Sequence, residues 1–306
     1  MKNAIVIVNP NARSGGGASE WEVIEENVRK AFPNILIERT QGPQHATQLA
    51  RQAVENGIIN IFAAGGDGTI HEVVNGIIKD DKSTNSNITF GVIGIGTGCD
   101  TFRSMGISLD PIKQIEVIKN GKTRFFDVGK VEMVDQFGHP RIRYFFNGSS
   151  FGMGASVMNF VNKSEKRWGT LGFLIPSLKA YKKFQPCRVL LTFDNRMTVE
   201  KDVMNVTICN GPYSGSGMRW TKQSKMDDGI FEVITIQRMS AWKVLIAVPM
   251  LYLGTLPRLK EVDIYKVKEL KVTGDRPLPI ECEGEEPGTL PATFSVLPNA
   301  LRVFVP

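Results

Sequence analysis

The sequence predicts an α/β fold: a doubly wound parallel-sheet domain over residues 1–127, then a β-rich, sandwich-like domain over residues 128–296. Three observations predict it. Up to Asp127, short β-rich runs alternate with amphipathic helical runs, the signature of a parallel sheet with helices on its faces. Beyond Asp127 the β-rich runs follow one another with few helical stretches between them, which argues for antiparallel pairing. Glycine-rich turns close three of the first four strands, at the edge where open α/β sheets bind their ligands.

In order, Ala4–Val8 reads as a strand and Glu20–Phe32 as the helix after it. Ile35–Arg39 pairs with Ala46–Asn56, Ile59–Ala63 with Ile70–Ile78, and Thr89–Ile93 with Ile112–Lys119 in the same strand-then-helix rhythm. The second half reads as strands at Val128–Val134, Arg143–Asn147, Arg188–Phe193, Val203–Asn210, Ile230–Gln237, Leu270–Thr273 and Leu301–Val305. Ser156–Phe184 and Ala241–Leu253 look helical, and the last segment, 297–306, could return to the first domain. With 306 residues and 42% hydrophobic composition, two ordinary cores can be buried.

The apolar run at the N-terminus is too short for a signal sequence, so a cytoplasmic protein is expected. The run Val244–Leu253 contains Pro249 and falls well short of the roughly 20 residues that span a bilayer. Cys99, Cys187, Cys209 and Cys282 are far apart, which points to buried free thiols. His45, His71 and His139 lack metal-like spacing and are expected at the surface or in loops. A net charge of +6 favours anionic partners without choosing among nucleotide, nucleic acid and acidic membrane.

The glycine turns are Asn9–Gly17, Gly65–Thr69 and Gly94–Asp100. Each would leave unpaired backbone N–H groups and a positive helix end facing one point, an arrangement suited to phosphate. None has the Gly-x-x-x-x-Gly-Lys-Ser/Thr pattern of a P-loop, and the third lacks the full dinucleotide fingerprint. Acidic residues are embedded in them at Asp67 and Asp100.

Gly65-Gly66-Asp67-Gly68-Thr69 with Glu72-Val73-Val74-Asn75-Gly76, followed by Gly96-Thr97-Gly98, Asp100 and Arg103, resembles the soluble diacylglycerol kinase and sphingosine kinase superfamily, and bacterial lipid kinases most of all. Further matching segments are Phe146-Asn147 with Gly152 and Gly154, Asn210-Gly211 with Gly215, Gly217 and Met218, Met226–Ile230, and Glu283-Gly284-Glu285. The resemblance implies an ATP-dependent, Mg²⁺-requiring kinase of phospholipid metabolism acting on a diacylglycerol-like lipid at an anionic membrane surface, with no nucleic acid partner. It implies a nucleotide site at Asn9, Pro10, Asn11, Ala12, Arg13, Thr40, Gly66, Asp67, Gly68, Thr69, Ile70, His71, Glu72 and Thr97. Asp67, Asp100 and Asp127 would meet one magnesium ion, and Asp228 with the carbonyls of Lys225 and Ile230 a second.

Phosphorylating an alcohol needs a base. Glu285 is the candidate, with Glu283 beside it; in an extended segment the two would point to one face. Relatives usually have Asn where this chain has Cys99, and Asp where it has Glu283. The basic and aromatic stretch Lys163–Lys183 is expected to dock on anionic lipid, or else to be a solvated helix. An exposed strand of the second half could pair across a dimer axis. Two other readings stay open: an NAD kinase-like enzyme, whose relatives share Gly-Gly-Asp-Gly-Thr, and a non-catalytic nucleotide- or lipid-binding protein.

Overall fold

The computed structural model describes residues 3–12, 17–83, 87–95, 99–154, 181 and 184–306. Among the described residues, fifteen strands join into one sheet. In the first half these are β1 (Ala4–Val8), β2 (Leu36–Arg39), β3 (Asn60–Gly65) and β4 (Thr89–Gly94), all parallel to their neighbours in the order β2-β1-β3-β4. The helices are α1 (Gly17–Ala31), α2 (His45–Glu55), α3 (Asp67–Ile77), α4 (Asp100–Met105) and α5 (Pro111–Asn120).

Side-chain alternation along β1 divides the helices between two faces. Ile5 and Ile7 pack with Ala46 and Ala50 of α2 and Val73 and Val74 of α3. Ala4, Val6 and Val8 pack with Trp21, Ile24 and Val28 of α1 and Ile115 and Ile118 of α5. A strand apolar on both faces must be covered on both, so this half is a doubly wound layer structure.

The second half holds β5 (Thr123–Val134), β6 (Pro140–Phe145), β7 (Gly148–Gly152), β8 (Cys187–Phe193), β9 (Met197–Val203), β10 (Asn205–Cys209), β11 (Phe231–Ile236), β12 (Val262–Val267), β13 (Glu269–Gly274), β14 (Pro279–Cys282) and β15 (Glu285–Phe304). Strand order runs β12-β11-β10-β7-β14-β15-β4-β3-β1-β2. β15 is the connector. Its start pairs antiparallel with β14, its middle with β13, and its end lies parallel to β4 through Arg302 and Val303. β5 runs antiparallel beside it from Thr289 to Phe304.

Helix α6 (Ala241–Leu253) coincides with its expected span and continues through Pro249. The proline removes one donor from the helix ladder and sits on the exposed side. Strands β7, β9, β12 and β14 have no counterpart among the expected runs. β7 is glycine- and serine-rich and lacks the β-branched enrichment that marks a strand, whereas β9 carries Thr198, Val199 and Val203 but is interrupted by the charged residues Glu200, Lys201 and Asp202. Most of the expected helix Ser156–Phe184 lies outside the described residues.

Helices α2 and α3 meet at Gly76. A Cβ there would lie 2.5 Å from both the Ala50 Cβ and the Thr47 carbonyl oxygen, so only hydrogen fits. Gly76→Val should therefore destabilise the fold by about 1–3 kcal/mol, as overpacked cores do. Chemical denaturation of the variant checks this, and an unchanged midpoint would contradict it.

Candidate functional site

Described residues from all three glycine turns meet on one cavity of about 750 Å³. Asn9, Asn11 and Ala12 come from the first turn, Gly66–Thr69 from the second, and Asp100 and Thr101 from the end of the third. Loop-to-loop hydrogen bonds hold them there. The Asn9 side-chain amide donates to the Thr69 hydroxyl at 3.1 Å, and the Asn9 carbonyl oxygen of the side chain accepts from Asn11 N–H at 3.0 Å. At Gly65, a Cβ would lie 2.3 Å from the Thr69 hydroxyl, so glycine is required for the turn to fold onto α3. Thr69 N–H donates to the Gly66 carbonyl at 3.0 Å, which leaves the amides just before it to face a ligand.

Asp67 braces the third turn. Its carboxylate accepts from the Asp100 and Thr101 N–H groups at 3.1 and 2.9 Å, capping α4 from another helix. The residue before, Cys99, is left-handed at φ 53°. That backbone suits asparagine better than cysteine, a physical meaning for the departure from the usual residue. Asp100 in turn accepts from the Ser216 and Gly217 amides, both at 2.7 Å, and from Arg103 at 3.1 Å. Burial and the Asp67 charge push the Asp100 carboxyl up to about 6 against these stabilising donors.

Asp67 and Asp100 both line the cavity, and two carboxylates are a donor set that fits Mg²⁺, which takes one or two carboxylates and fills its shell with water and phosphate oxygens. Among the described residues no group of three or more metal-type side chains occurs.

The same cavity is lined by Asn147, Ser150, Glu281 and Glu283 and by a set of apolar side chains that form its apolar limb. Met153, Tyr181, Trp220, Met239 and Leu256 line this limb together with Val244, Ala247, Val248 and Leu251 of α6. On the cavity wall, Glu283 Oε1 accepts from the Phe146 N–H at 2.9 Å and from the Asn147 N–H. Its Oε2 lies 2.9 Å from His71 Nδ1, and Glu285 Oε2 lies 3.7 Å from His71 Nε2.

Glu283 and Gly284 are both at positive φ, so the segment is a turn between β14 and β15 and not the extended run expected. Both carboxylates still reach one imidazole, from its opposite nitrogens. The acidic run is not a solvated turn either, since Glu281 is buried and accepts from the Ser150 hydroxyl at 3.0 Å and the Gly284 N–H at 2.7 Å. Burial raises the Glu281 carboxyl.

His71 is 1% exposed, which corrects the expectation of a surface or loop histidine. Burial alone would lower it, but the hydrogen bonds and charges of Glu283 and Glu285 prevail and raise it to about 9. The same cation, with Arg143 beyond it at 3.9 Å, holds the Glu285 carboxyl low.

Of the expected nucleotide residues, Asn9, Asn11, Ala12, Thr40, Gly66, Asp67, Gly68, Thr69 and Glu72 line the cavity. Glu72 also caps α2, accepting from the Gln44 and Ala46 N–H groups at 2.9 and 3.1 Å. Pro10 is not on the wall, Ile70 is buried in the core, and His71 sits behind Glu283. Arg13, Thr97 and all of Lys163–Lys183 except Tyr181 lie outside the described residues.

Glu285, Asp127, Lys225, Asp228 and Ile230 are not on the cavity wall. Asp127 is 1% exposed and spends its carboxylate on the Gly229 and Asn299 amides at 2.7 and 2.8 Å, tying β5 to β15 and to the 226–230 turn. Asp228 folds back on the Ile230 N–H at 3.3 Å.

Residues 3–131 match the diacylglycerol kinase catalytic domain, and residues 148–305 match the YegS C-terminal NAD kinase beta sandwich-like domain. The chain is 25% identical to the diacylglycerol kinase of Bacillus subtilis over 100% of its own length and 97% of that protein's. Among solved structures, a diacylglycerol kinase from Bacillus anthracis shares the fold at a TM-score of 0.72 and 19% identity, covering 100% of this chain and 97% of the other. Yeast NADH kinase complexed with NADH matches at 0.57 and 11%, over 99% of this chain and 83% of that one.

The raised His71 sets a pH dependence. Its folded value, about 9, lies above the ordinary 6.5, so the imidazolium contributes stability that is complete below pH 6.5 and is lost as pH rises through 9. The loss should be on the order of 3 kcal/mol. His71→Asn should flatten the fall in denaturation free energy between pH 6.5 and 9, whereas an equally steep fall in the variant would contradict the assignment.

Proposed function

Because this chain belongs to the lipid kinase family in which a diacylglycerol kinase catalytic domain precedes a YegS-type β-sandwich domain, we propose that it transfers the γ-phosphate of ATP to the hydroxyl of a diacylglycerol-like lipid. The observation that carries this reading is the continuity of the cavity. A polar end made of glycine turns, helix N-termini and carboxylates runs without a break into an apolar limb between β-strands and α6. Nucleotide phosphates suit the first end and acyl chains the second.

In this mechanism the first-turn amides of α3, around Gly66–Gly68, receive the phosphates, with the Thr69 hydroxyl beside them. Asp67 and Asp100 are the residues that would hold Mg²⁺, which when bound neutralises phosphate charge. The same reading keeps a second magnesium at Asp228 with the carbonyls of Lys225 and Ile230, where burial and neighbouring acids already raise the Asp228 carboxyl.

The lipid hydroxyl sits at the waist of the cavity, and its proton passes to the carboxylate pair Glu283 and Glu285. Glu283 faces the cavity, and Glu285 is linked to it through the His71 ring. Held by two amides and an imidazole, Glu283 cannot rotate away from the acceptor without breaking three contacts. The apolar limb favours lipid over NAD as acceptor, because a dinucleotide would leave its polar groups unpaired among Met153, Met239 and Leu251. Among the described residues no helix is long and apolar enough to cross a membrane, in keeping with an enzyme that meets its lipid at a cytoplasmic membrane surface.

Radiolabelled ATP with Mg²⁺ and a panel of diacylglycerol, ceramide, sphingoid base, phosphatidylglycerol and NAD tests the proposal. Label should appear in the lipid with a free glycerol hydroxyl and not in NAD. Glu283→Gln should lower kcat by about 10²–10⁴-fold, the usual worth of a positioned base. Label in NAD, or ATP binding with no transfer to any lipid, would overturn it.

A further inference from the structure

Helix α6 is apolar on every side. Its sequence, AWKVLIAVPMLYL, contains one charged residue, Lys243, and no acid. Val244, Ala247, Val248 and Leu251 face the cavity. The opposite side presents Trp242 at 61% exposure, Leu245 at 54%, Ile246 at 46% and Leu253 at 64%. These positions, with Pro249, recur at three- and four-residue spacing and form one stripe. Tyr252 stands at the border, lining the cavity while 42% exposed.

Elsewhere among the described residues, large exposed hydrophobics occur singly or in twos along the chain; five fall in these 13 residues. A surface helix of a soluble domain ordinarily turns a polar face outward, so this stripe calls for a partner.

We propose that the outer face of α6 inserts into an anionic lipid bilayer and delivers the lipid across the helix into the apolar limb. The proposal deepens the lipid kinase reading and rests on it. Three observations select a bilayer as the occupant. First, the helix is at once the wall of the apolar limb and the exposed stripe, so a chain leaving the membrane stays in contact with apolar surface throughout.

Second, Trp242 and Tyr252 stand near the two ends of the helix, the residue types that settle at the boundary of headgroup and acyl chain. Third, the surroundings are cationic. Lys243 lies over the Trp242 ring, 5.9 Å from its centre, and Arg219 and Lys222 pack against the C-terminal Gly254. Arg258 and Lys260 are exposed just beyond. The neighbouring acid, Glu261, pairs with Lys243 and offsets its charge, so the cationic character of the rim comes from Arg219, Lys222, Arg258 and Lys260. Such a rim suits the negative surface of phosphatidylglycerol-containing membranes.

The test compares the full-length protein with the variant Trp242→Gln/Leu245→Gln/Leu253→Gln, whose changed side chains all lie off the cavity wall. Both are sedimented with vesicles of phosphatidylcholine containing phosphatidylglycerol. The variant should partition about tenfold or more weakly, and the blue shift of tryptophan emission on vesicle binding should shrink. Both proteins should phosphorylate monomeric dioctanoylglycerol at equal rates, which shows that the variant is folded and its site intact.

Undiminished vesicle binding by the variant overturns the proposal. So does a wild-type dimer that becomes monomeric in the variant while vesicle binding persists, since the stripe would then be a protein interface. If the wild type phosphorylates no lipid at all, the kinase reading fails on its own, and the sedimentation result still decides whether α6 docks on a bilayer.

Discussion

The architecture of the site depends on one buried carboxylate. Glu283 accepts two backbone amides from the β6–β7 turn and holds His71, which belongs to the glycine-turn helix α3. It thus joins the half of the chain that presents phosphate donors to the half that provides the apolar limb. A carboxylate removed from water must be fully partnered, and its partners come from two distant stretches of the chain, the adjacent amides of Phe146 and Asn147 and the His71 ring. His71 accepts the same constraint from the other side, gripped by Glu283 and faced by Glu285, so that a cation is buried among the acids that need it.

β15 makes this juxtaposition possible. It leaves the Glu283 turn, crosses the second half of the sheet and ends beside β4 in the first. A single strand shared by both halves keeps the glycine turns and the apolar limb in register. Asp127 adds a pin along the same line, accepting from the Asn299 amide where the β5–β15 pairing shifts register. The carboxylates of this protein therefore divide the labour: Asp127 holds chain segments only, whereas Glu72, Asp67, Asp100 and Glu283 hold segments and also face the cavity.

Much of the first half was legible in the sequence because its signals are local. Strand and helix periodicity marked α2, α3 and α5 to within a few residues, and the glycine turns announced the edge on which Asn9, Asp67 and Asp100 now meet. The second half was less legible. β7 is held between two strands distant in sequence, β10 and β14, and neither β7 nor β14 is marked as a strand by its own composition. His71 could not be read as buried, because its partners lie more than two hundred residues away. The apolar limb is assembled from scattered Met, Trp, Val and Leu side chains with no readable spacing. Only α6 carried a local sign, an apolar run legible as the helix Ala241–Leu253 despite Pro249.

The central claim is that one continuous cavity brings a nucleotide phosphate and a lipid hydroxyl together at Glu283. A crystal structure of the protein with a non-hydrolysable ATP analogue and a short-chain diacylglycerol tests it most directly. The account predicts phosphates on the Gly66–Thr69 turn, the glycerol hydroxyl within hydrogen-bond reach of Glu283, and acyl chains between Met239 and Leu251. Nucleotide bound away from the glycine turns, or a lipid outside the α6 limb, would contradict it.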